Sequence, residues 1–554
     1  MKKLLLALVI LLLPLPALAQ GVVASADPRA TEAGQEILRQ GGSAADAAMA
    51  MMLALTVVEP QSSGIGGGGF FVHHDAATGL IETVDGRETA PASATPARFL
   101  GADGKPLPFI QAFPGGLSVG VPGNIRLMAM VHARWGKLEW KAIFAPAIRL
   151  AEDGYDVTPP MANALRMVAP LWKDRFPAAA ALYLVDGQPA PVGTHIRNPA
   201  LAKTLRAIAE QGPDGFYSGE TAAAIVAATA SDHPGGMTLA DLAGYRARPR
   251  NAVCGSYRKF TVCGMGPPSS GATTVLQILG MIERFDMKKL GKDSPVAWHV
   301  MGEAMQLAYA DREKYLGDAD FVQVPVAGLI DPDYLKSRSK LISPDHALPA
   351  YTAGTPPGAQ QRTAAVQAEV PGTTNFVAVD RAGDVVTMTS TVEGPFGSQL
   401  LANGMVLNNE LTDFTFAPEK DGAPVANRVQ PGKRPLSSMS PTIVYDAKGK
   451  PILALGSAGG KRIIMHVLKT LVGVLDWDEP AVDAIALPNL YFDGQGSLMI
   501  ENNALGAALA PAIAKLGQPV KALDFPSKVT AVQRTATGWR GAADPRSVGT
   551  ALNE

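Results

Sequence analysis

The chain has only two cysteines, few aromatic residues (6%) and almost no net charge, although it is 554 residues long. Two cysteines exclude a scaffold held by several disulfides and a metal site built from many thiolates. The 49 basic and 50 acidic residues leave a formal net charge of −1, without the cationic excess that binding to nucleic acid or anionic membranes requires. Hydrophobic residues nevertheless make up 47% of the chain, which indicates a folded protein rather than an intrinsically disordered one.

The first 19 residues have the pattern of an export signal. Lys2 and Lys3 precede ten apolar residues (4–13), and Ala-Leu-Ala at 17–19 forms a small-x-small cleavage site. Ten helical residues span about 15 Å, half of the hydrocarbon core of a membrane, so we expect cleavage before Gln20 rather than an uncleaved anchor. After residue 19 no uncharged run reaches 18 apolar residues. The sequence therefore predicts an exported protein, most simply in the periplasm of a Gram-negative bacterium.

The two cysteines lie in a segment that is typical of a β-hairpin with its turn at Arg258 and Lys259. A two-residue turn pairs position 257 with 260, and therefore Cys254 with Cys263, at a Cα separation of about 4.5–5.5 Å. An oxidising compartment would favour a disulfide there, and the alternative is two separate buried thiols. Either arrangement would be structural.

Helical patterns precede β-rich patterns along the chain. Helices are predicted over 30–40 and 43–57, within 136–245, and over 269–285 and 294–316. Residues 340–372 contain few large apolar residues, so we expect an exposed, mobile segment. Strands are predicted at 70–74, 374–380, 384–392, 404–408, 441–446 and 452–456, and helices again at 461–475, 479–485 and 505–516. This order favours a layered α/β fold with antiparallel sheets.

Two short motifs are weak evidence for a cofactor or a metal. Gly64-x-Gly66-x-x-Gly69 matches the dinucleotide-binding fingerprint in its letters, but it follows a helix and opens a strand, the reverse of the required context. We expect these glycines to permit close backbone approach instead. His73 and His74 are adjacent in a predicted strand and would point to opposite faces, which disfavours a shared metal.

The boundary between Gly372 and Thr373 is the most informative place in the sequence. The loop from Asp380 to Gly383 suits a three-residue hairpin turn, which pairs position 380 with 384. Counting back along both strands from that pair places Thr373 opposite Thr391. A two-residue turn would place Ser390 opposite Thr373 instead.

Threonine is a poor nucleophile unless a base lies beside it. Cleavage before Thr373 would free an α-amine with a pKa of about 7.7–8, which could act as that base. The hydroxyl of Thr391 would then orient the Thr373 hydroxyl. The alternative is an ordinary cross-strand threonine pair.

Two further stretches carry features of a site. Residues 435–441 place the adjacent hydroxyls of Ser437 and Ser438 between two prolines, and residues 456–462 place Gly459 and Gly460 where a strand ends and a helix begins. Glycine amides at a helix N-terminus are suited to binding an anion or an oxyanion. The alternative for each stretch is a plain loop.

At these residues the sequence resembles the γ-glutamyltranspeptidase family of N-terminal-nucleophile hydrolases. Ten motifs carry the resemblance in one order along the chain, at 41–48, 63–68, 85–91, 118–123, 266–271, 372–374, 407–414, 434–441, 456–460 and 544–546. The resemblance implies an αββα sandwich and autocatalytic cleavage between Gly372 and Thr373. It also implies a large subunit of about 20–372 and a small subunit of 373–554, which together form one composite domain.

Matching positions imply the catalytic roles. By the resemblance, Thr373 is the nucleophile and its freed amine the base, Thr391 supports the Thr373 hydroxyl, and the amides of Gly459 and Gly460 form an oxyanion hole. No metal and no organic cofactor are implied.

The resemblance also implies how the acyl group is bound. Arg87, assisted by Ser437 and Ser438, would hold the α-carboxylate of a γ-glutamyl group, and Glu410 and Asp413 would hold its α-ammonium. This division makes chemical sense, since an amino-acid head needs a cation for one end and anions for the other.

Two features depart from the family pattern. Glu393 stands where the usual pattern has asparagine, and its carboxylate would repel the substrate carboxylate held by Arg87. Glu393 therefore turns away, is neutralised, or marks a different substrate. The alternative to a substrate-binding role for Arg87 is a purely structural ion pair with Glu88. The segment between Phe414 and Lys433 is also shorter than the lid of typical bacterial members, which would leave the acyl site more open.

Three functions remain open from the sequence. The first is a γ-glutamyltransferase and glutathione hydrolase that forms an acyl-enzyme on Thr373 and transfers the acyl group to water or an amino acid. The second is a related acylase for glutaryl-type or other acyl amides, favoured by Glu393. The third is a processed but inactive periplasmic binding protein that uses the pocket of Arg87 and Asp413. All three imply a small-molecule ligand and paired subunits of one chain, without nucleic acid or a stable membrane anchor.

Overall fold

The computed structural model describes residues 21–365, 372–492 and 496–554. The predicted export signal (1–19) and the position of cleavage before Gln20 lie outside these residues. Within the described ranges, no helix combines the length and the apolar character needed to cross a bilayer.

Two antiparallel sheets form the centre of the molecule. In chain order their strands are β1 (Val22–Ser25), β2 (Gly68–His74), β3 (Ile81–Asp85), β4 (Arg248–Arg250), β5 (Val253–Tyr257), β6 (Phe260–Gly264), β7 (Thr374–Val379), β8 (Val385–Thr391), β9 (Thr442–Tyr445), β10 (Pro451–Gly456), β11 (Thr530–Thr535), β12 (Gly538–Ala543) and β13 (Thr550–Asn553). The seven-stranded sheet has the order β13-β1-β7-β8-β2-β3-β4, and the six-stranded sheet has the order β12-β11-β10-β9-β6-β5.

Helices cover both sheets. They are α1 (Pro28–Arg39), α2 (Ala44–Val58), α3 (Phe109–Ala112), α4 (Asn124–Trp135), α5 (Trp140–Asp153), α6 (Pro159–Trp172), α7 (Pro177–Tyr183), α8 (Pro199–Gln211), α9 (Asp214–Tyr217), α10 (Gly219–Ser231), α11 (Leu239–Gly244), α12 (Gly271–Ile282), α13 (Met287–Leu290), α14 (Pro295–Tyr315), α15 (Val326–Leu329), α16 (Pro332–Ser339), α17 (Ile463–Leu475), α18 (Ala481–Ala486) and α19 (Ala504–Ala514). Three 3₁₀ turns lie at Gly116–Ser118, Glu410–Asp413 and Gly460–Arg462.

Smaller strand pairs decorate this framework. A three-stranded sheet joins Leu490–Phe492, Leu498–Glu501 and Val520–Leu523, and four short hairpins or pairs link Tyr155–Asp156 with His195–Ile196, Leu184–Val185 with Gln188–Pro189, Leu401–Ala402 with Met405–Val406, and Glu419–Lys420 with Ala423–Pro424.

The alternation of side chains along the strands produces four layers. On the seven-stranded sheet, Phe71 and Met388 belong to a core shared with α2 and the other helices of the first layer. The neighbouring residue Val72 belongs to a second core, which also contains Leu453 of the six-stranded sheet and residues of α12, α14 and α17. Successive strand residues point to opposite faces, so one face packs on helices and the other on the second sheet. The predicted αββα sandwich is confirmed.

Strands from both sides of the Gly372–Thr373 bond share each sheet. In the seven-stranded sheet, β1 lies between β13 and β7, and in the six-stranded sheet β6 pairs with β9. The described residues before and after this bond therefore interleave in the same two sheets. The cut and the division into two subunits remain predictions.

The central hairpin β7–β8 has the register predicted from its turn. Thr374 pairs with Ser390 and Val379 pairs with Val385, which is the register expected from the three-residue turn. The Asp380 amide donates to the Asp384 carbonyl at 3.2 Å, and Gly383 has a φ of +93°, a conformation that favours glycine. The three-residue turn, rather than the two-residue alternative, is present.

The glycine run before β2 serves close backbone packing. A Cβ at Gly66 would lie 2.0 Å from the Val406 carbonyl oxygen, and one at Gly67 would lie 1.9 Å from the Thr391 carbonyl oxygen. These contacts leave no room for a side chain, which confirms the expected close approach of backbone to backbone. His73 is likewise structural, since its ring stacks on Trp135 at 4.4 Å, and the described residues contain no cluster of three or more metal-ligating side chains.

The segment after residue 340 is tied to the helical layer, although most of its described residues are at least partly exposed. Its described part, 340–365, has no helix or strand, but it is hydrogen-bonded to α14. The Leu348 amide donates to Glu303 at 2.9 Å and the Gly354 amide donates to Asp311 at 2.8 Å. Buried carboxylates on a helix can thus hold an irregular segment that has few apolar side chains of its own.

Cys254 and Cys263 pair across the hairpin β5–β6 and form a disulfide. The hairpin lies at one end of the six-stranded sheet, where β5 has a neighbour on only one side. The disulfide therefore fastens the edge strand β5, which has backbone hydrogen bonds to a neighbouring strand on one side only.

We predict that Cys254→Ala combined with Cys263→Ala lowers the free energy of unfolding by about 2–3 kcal/mol, the loop-closure value for a ring of roughly ten residues. Thermal unfolding monitored by circular dichroism would measure the loss, and reduction of the native protein should reproduce it. Turnover should be unchanged, because the disulfide lies outside the cavity described below. A native and a double variant of equal stability would contradict the prediction.

Candidate active site

A narrow cavity lies at the end of the central hairpin where β7 begins and β8 ends. Its lining residues are Arg87, Thr373, Thr391, Glu393, Glu410, Asp413, Ser437, Met439, Gly460 and Ile463. All but Met439 and Ile463 are site residues predicted from the sequence. Six separate stretches of the chain supply these residues, and the two sheets and the 3₁₀ turn Glu410–Asp413 bring them together.

The two threonine hydroxyls are in hydrogen-bond contact. Thr373 Oγ1 lies 3.1 Å from Thr391 Oγ1, and Thr391 Oγ1 accepts a hydrogen bond from the Glu393 amide at 2.8 Å. Because that amide occupies an acceptor position of Thr391, the Thr391 hydroxyl is free to donate its proton to Thr373. This arrangement would stabilise negative charge that develops on Thr373 Oγ1.

The backbone at the Gly372–Thr373 bond is constrained. Thr373 has a φ of +83°, an unfavourable conformation for a β-branched residue that costs on the order of 1–3 kcal/mol. A Cβ at Gly372 would lie 1.5 Å from the carbonyl oxygen of Glu393, so only glycine fits. A strained threonine directly after an obligatory glycine is an arrangement in which breaking the peptide bond would relieve strain.

The glycine loop contacts this same peptide. The Gly459 amide donates to the Gly372 carbonyl oxygen at 3.2 Å, and Gly460 lines the cavity. Behind the loop, the buried Nδ1 of His466 lies 3.0 Å from Ser457 Oγ and 3.1 Å from the Ala458 carbonyl oxygen. Burial lowers the pKa of His466 well below its usual value, so a neutral imidazole supports the loop.

Arg87 is paired with the two acidic residues of the 3₁₀ turn. Its guanidinium, only 1% exposed, forms an ion pair with Glu410 and another with Asp413, the latter at 2.5 Å. Burial lowers the pKa of Arg87, but the two carboxylates more than offset that effect. Arg87 therefore pairs with Glu410 and Asp413, which the sequence assigned to the opposite end of the same ligand.

The two predicted serines have different surroundings. Ser437 lines the cavity, and its Oγ accepts from the Met439 amide at 3.2 Å. Ser438 Oγ accepts a hydrogen bond from Arg312 Nη2 at 2.8 Å. Arg312 is fully buried on α14 and also donates to Ser270 Oγ at 2.9 Å. A second cation thus lies behind the serine pair.

Glu393 lines the cavity. Its carboxylate accepts a hydrogen bond from Asn409 Nδ2 at 2.5 Å, and Asn409 Oδ1 accepts from the Gly394 amide at 2.9 Å. The Glu393 carboxylate is therefore held by Asn409, and the three alternatives raised by the sequence stay predictions. An amide fixes the carboxylate at the cavity wall.

Glu88 adds a fourth carboxyl group behind the cavity. It is fully buried, and neither of its oxygens has a hydrogen-bond donor within the described residues. Burial raises the pKa of Glu88 to about 7, and Arg87 only partly opposes the shift. Burial also raises the pKa of Glu410 well above its usual value, with further contributions from Glu88, Asp413 and Glu393. Arg87 pairs with two carboxylates, and Glu88 and Glu393 add two more carboxyl groups at or behind the cavity. This excess of acidic groups favours retained protons or a further cation.

Sequence reasoning missed Glu88, Arg312 and Asn409 as parts of this site. Glu88 was visible only as a possible partner of Arg87, and its neighbours come from distant segments. Arg312 lies in a helix whose pattern gives no sign of its contact with Ser438. Asn409 lies directly before Glu410 in a recognised motif, but nothing in the sequence joins it to Glu393.

We predict that Glu88→Gln flattens the pH dependence of stability between about pH 4.5 and 7. The folded-state pKa of Glu88 lies above its unfolded value, so its stabilising contribution is complete below the unfolded pKa and is lost as the pH rises through 7. The unmodified protein should lose up to about 3 kcal/mol across this window from that group. Unfolding midpoints at pH 5 and pH 7.5 test this, with the exposed Asp214→Asn as control. A Glu88→Gln profile parallel to the wild type would contradict it.

Comparison with known proteins identifies the family. The model of the family described as gamma-glutamyltranspeptidase matches residues 30–553. The chain is 38% identical over 493 residues to the glutathione hydrolase proenzyme of Bacillus subtilis (strain 168), covering 87% of this chain and 82% of that protein. It is 37% identical over 541 residues to the glutathione hydrolase proenzyme of Escherichia coli (strain K12), covering 96% and 91%.

The fold is also that of a solved acylase. The structure of cephalosporin acylase from Bacillus halodurans superposes with a TM-score of 0.86 at 28% sequence identity, covering 98% of both chains. The sandwich, the paired threonines and the ionic cluster thus occur in a chain whose relatives are enzymes. The protein belongs to the gamma-glutamyltranspeptidase family.

Proposed function

We propose that the protein hydrolyses glutathione and related γ-glutamyl amides, and transfers the γ-glutamyl group to amino acids, through an ester on Thr373. The observation that carries this proposal is the ion-paired Arg87 at the wall of a cavity that also contains the Thr373 hydroxyl. The names of the relatives, both glutathione hydrolase proenzymes, support it.

The proposed first step is cleavage of the chain by its own threonine. Thr373 Oγ1 attacks the Gly372 carbonyl carbon, and the Gly459 amide, 3.2 Å from the carbonyl oxygen, stabilises the oxyanion. The C–N bond breaks and the Thr373 nitrogen takes the proton. Water then hydrolyses the resulting ester, which leaves a carboxylate on Gly372 and a free amine on Thr373.

The freed amine then acts as general base. It accepts the proton of Thr373 Oγ1 as that oxygen attacks the γ-carbonyl carbon of the substrate, with Thr391 donating to the nucleophile. The resulting ammonium returns the proton to the leaving amine. Water or an amino acid attacks the acyl-enzyme in the same way, and Gly459 with Gly460 would stabilise both oxyanions.

The charge pattern favours a zwitterionic acyl head. The α-carboxylate of a γ-glutamyl group can replace the acidic partners of Arg87, while its α-ammonium compensates the released carboxylates of Glu410 and Asp413. A glutaryl head brings a carboxylate but no ammonium, so it would leave these buried carboxylates uncompensated. Four carboxyl groups around one guanidinium strengthen the preference.

An acylase for other acyl amides is the second candidate. It is favoured by Glu393 at the cavity wall, where a substrate carboxylate would meet repulsion, and by similarity to the cephalosporin acylase. The inactive binding protein has no comparable support, since the hydroxyl pair and the amide at the scissile carbonyl are arranged for chemistry.

We also propose that the protein is exported to the periplasm of a Gram-negative bacterium. The pattern of residues 2–19 supports cleavable export. The disulfide between Cys254 and Cys263 suits an oxidising compartment.

Thr373→Ala should remain a single chain and lose γ-glutamyl anilide turnover by on the order of 10³-fold or more, because cleavage and turnover use the same hydroxyl. Denaturing electrophoresis and N-terminal sequencing of the smaller fragment provide the measurements. Thr373→Ser, which keeps a hydroxyl, is the matched control and should still be cleaved before residue 373. Splitting of the alanine variant at this bond would remove Thr373 from its proposed role.

Asp413→Asn should lower kcat/KM for a γ-glutamyl anilide by about 100-fold, the cost of losing one buried charged hydrogen bond. Cleavage of the chain should continue, because Asp413 contacts Arg87 and not the scissile peptide. Turnover of a glutaryl anilide, measured in parallel, should be low in the wild type and should not fall with the substitution. Faster wild-type turnover of the glutaryl substrate would favour the acylase, and equal loss of processing would make Asp413 structural.

A further inference from the structure

The nitrogen of Thr373 is held by a segment that belongs to neither strand of the central hairpin. The backbone carbonyl of Ser62 accepts hydrogen bonds from the Thr373 nitrogen at 3.0 Å and from the Val392 nitrogen at 3.2 Å. Ser62 follows the C-terminus of α2, in a turn closed by its own amide, which donates to the Glu59 carbonyl at 2.9 Å. In the cleaved chain this carbonyl would orient the amine.

A lysine from the far end of the chain reaches the same turn. Lys528 Nζ donates to Ser62 Oγ at 2.8 Å and to Glu59 Oε1 at 2.8 Å. The Lys528 side chain is 19% exposed and that of Glu59 is 2% exposed. Val529, the next residue, is fixed by its amide, which donates to Asp544 at 3.1 Å. The ammonium and the carboxylate are therefore held beside the residue that binds the Thr373 nitrogen.

We propose that Lys528 and Glu59 are positioning residues that set the protonation state of the freed Thr373 amine through Ser62. The inference rests on the proposed function, because the Thr373 nitrogen titrates only after the chain is cut.

The amine has charged neighbours on two sides. Lys528 and Glu59 lie on the Ser62 side, whereas Arg87, Glu393, Glu410 and Asp413 share the cavity with Thr373 and Glu88 lies behind them. The cavity side carries excess negative charge, which favours a protonated amine and opposes its action as base. An ammonium on the Ser62 side disfavours a second positive charge nearby and so keeps the amine neutral at lower pH.

Removing one partner of the ion pair at a time should shift the pKa of the Thr373 amine in opposite directions. Lys528→Met removes the cation and leaves the Glu59 carboxylate, which raises the amine pKa. Glu59→Gln removes the anion and leaves the Lys528 ammonium, which lowers it. Ser62 separates both charges from the amine, and Lys528 is partly exposed to water. We therefore expect a high effective dielectric constant and shifts in the amine pKa of roughly half to one pH unit.

The test is the pH profile of kcat/KM for a γ-glutamyl anilide, whose acidic limb reports the base of the free enzyme. We expect the limb of Lys528→Met to move to higher pH, that of Glu59→Gln to lower pH, and that of Lys528→Arg to stay at the wild-type position. Lys448→Met is the control. Lys448 is exposed in the turn that follows the C-terminal end of β9, whereas the cavity residue Met439 precedes β9.

Self-cleavage provides the second readout. In the uncleaved chain the Thr373 nitrogen is an amide that does not titrate, so Lys528→Met should process at the wild-type rate. Equal or absent shifts in the two variants, or slower processing of Lys528→Met without a shift, would overturn the inference. If the wild type and Lys448→Met also failed to turn over the anilide, the proposed function itself would be wrong, which is a separate outcome.

Discussion

The register of the central hairpin is the constraint on which the candidate site depends. A slip of one residue between β7 and β8 would turn the Thr391 side chain to the opposite face of the sheet, away from Thr373. Three features prevent such a slip: the Gly383 turn, the pairing of Thr391 with Gly68, and the contact of the glycine run with the Thr391 carbonyl. The hydroxyl pair is thus fixed by backbone geometry before any side-chain interaction acts.

The cavity combines this rigid hydroxyl pair with several buried carboxyl groups. A carboxyl group buried without a donor, such as that of Glu88, is retained at a cost in stability. That cost becomes intelligible when the ligand carries its own ammonium, because the ligand then supplies compensation that the protein lacks. Arg87 has its acidic partners in place, so binding of the proposed γ-glutamyl ligand would exchange one set of ion pairs for another and leave no guanidinium buried alone.

Much of this organisation could be predicted from the sequence, and the limits have physical causes. Local rules were sufficient for the β7–β8 turn, the cysteine hairpin and most helices, because each depends on residues close in the chain. The strands β1, β3, β4, β11, β12 and β13 were not predicted, since these segments acquire strand character only from distant neighbours. Arg87, Glu410 and Asp413 were found through the family motif, but their mutual pairing was not, because burial and spacing exist only in the folded chain.

The interleaving of strands from the two sides of Gly372–Thr373 has a consequence for what the break means. β1 precedes the proposed cut, whereas its two neighbours in the sheet, β7 and β13, follow it. Neither fragment alone therefore contains a complete sheet. The pieces cannot drift apart without dismantling the hydrophobic interior, and there is no docking surface on which they would have to reassemble. The proposed cleavage would create a new chain terminus at Thr373 and leave the strand pairing of both sheets unchanged.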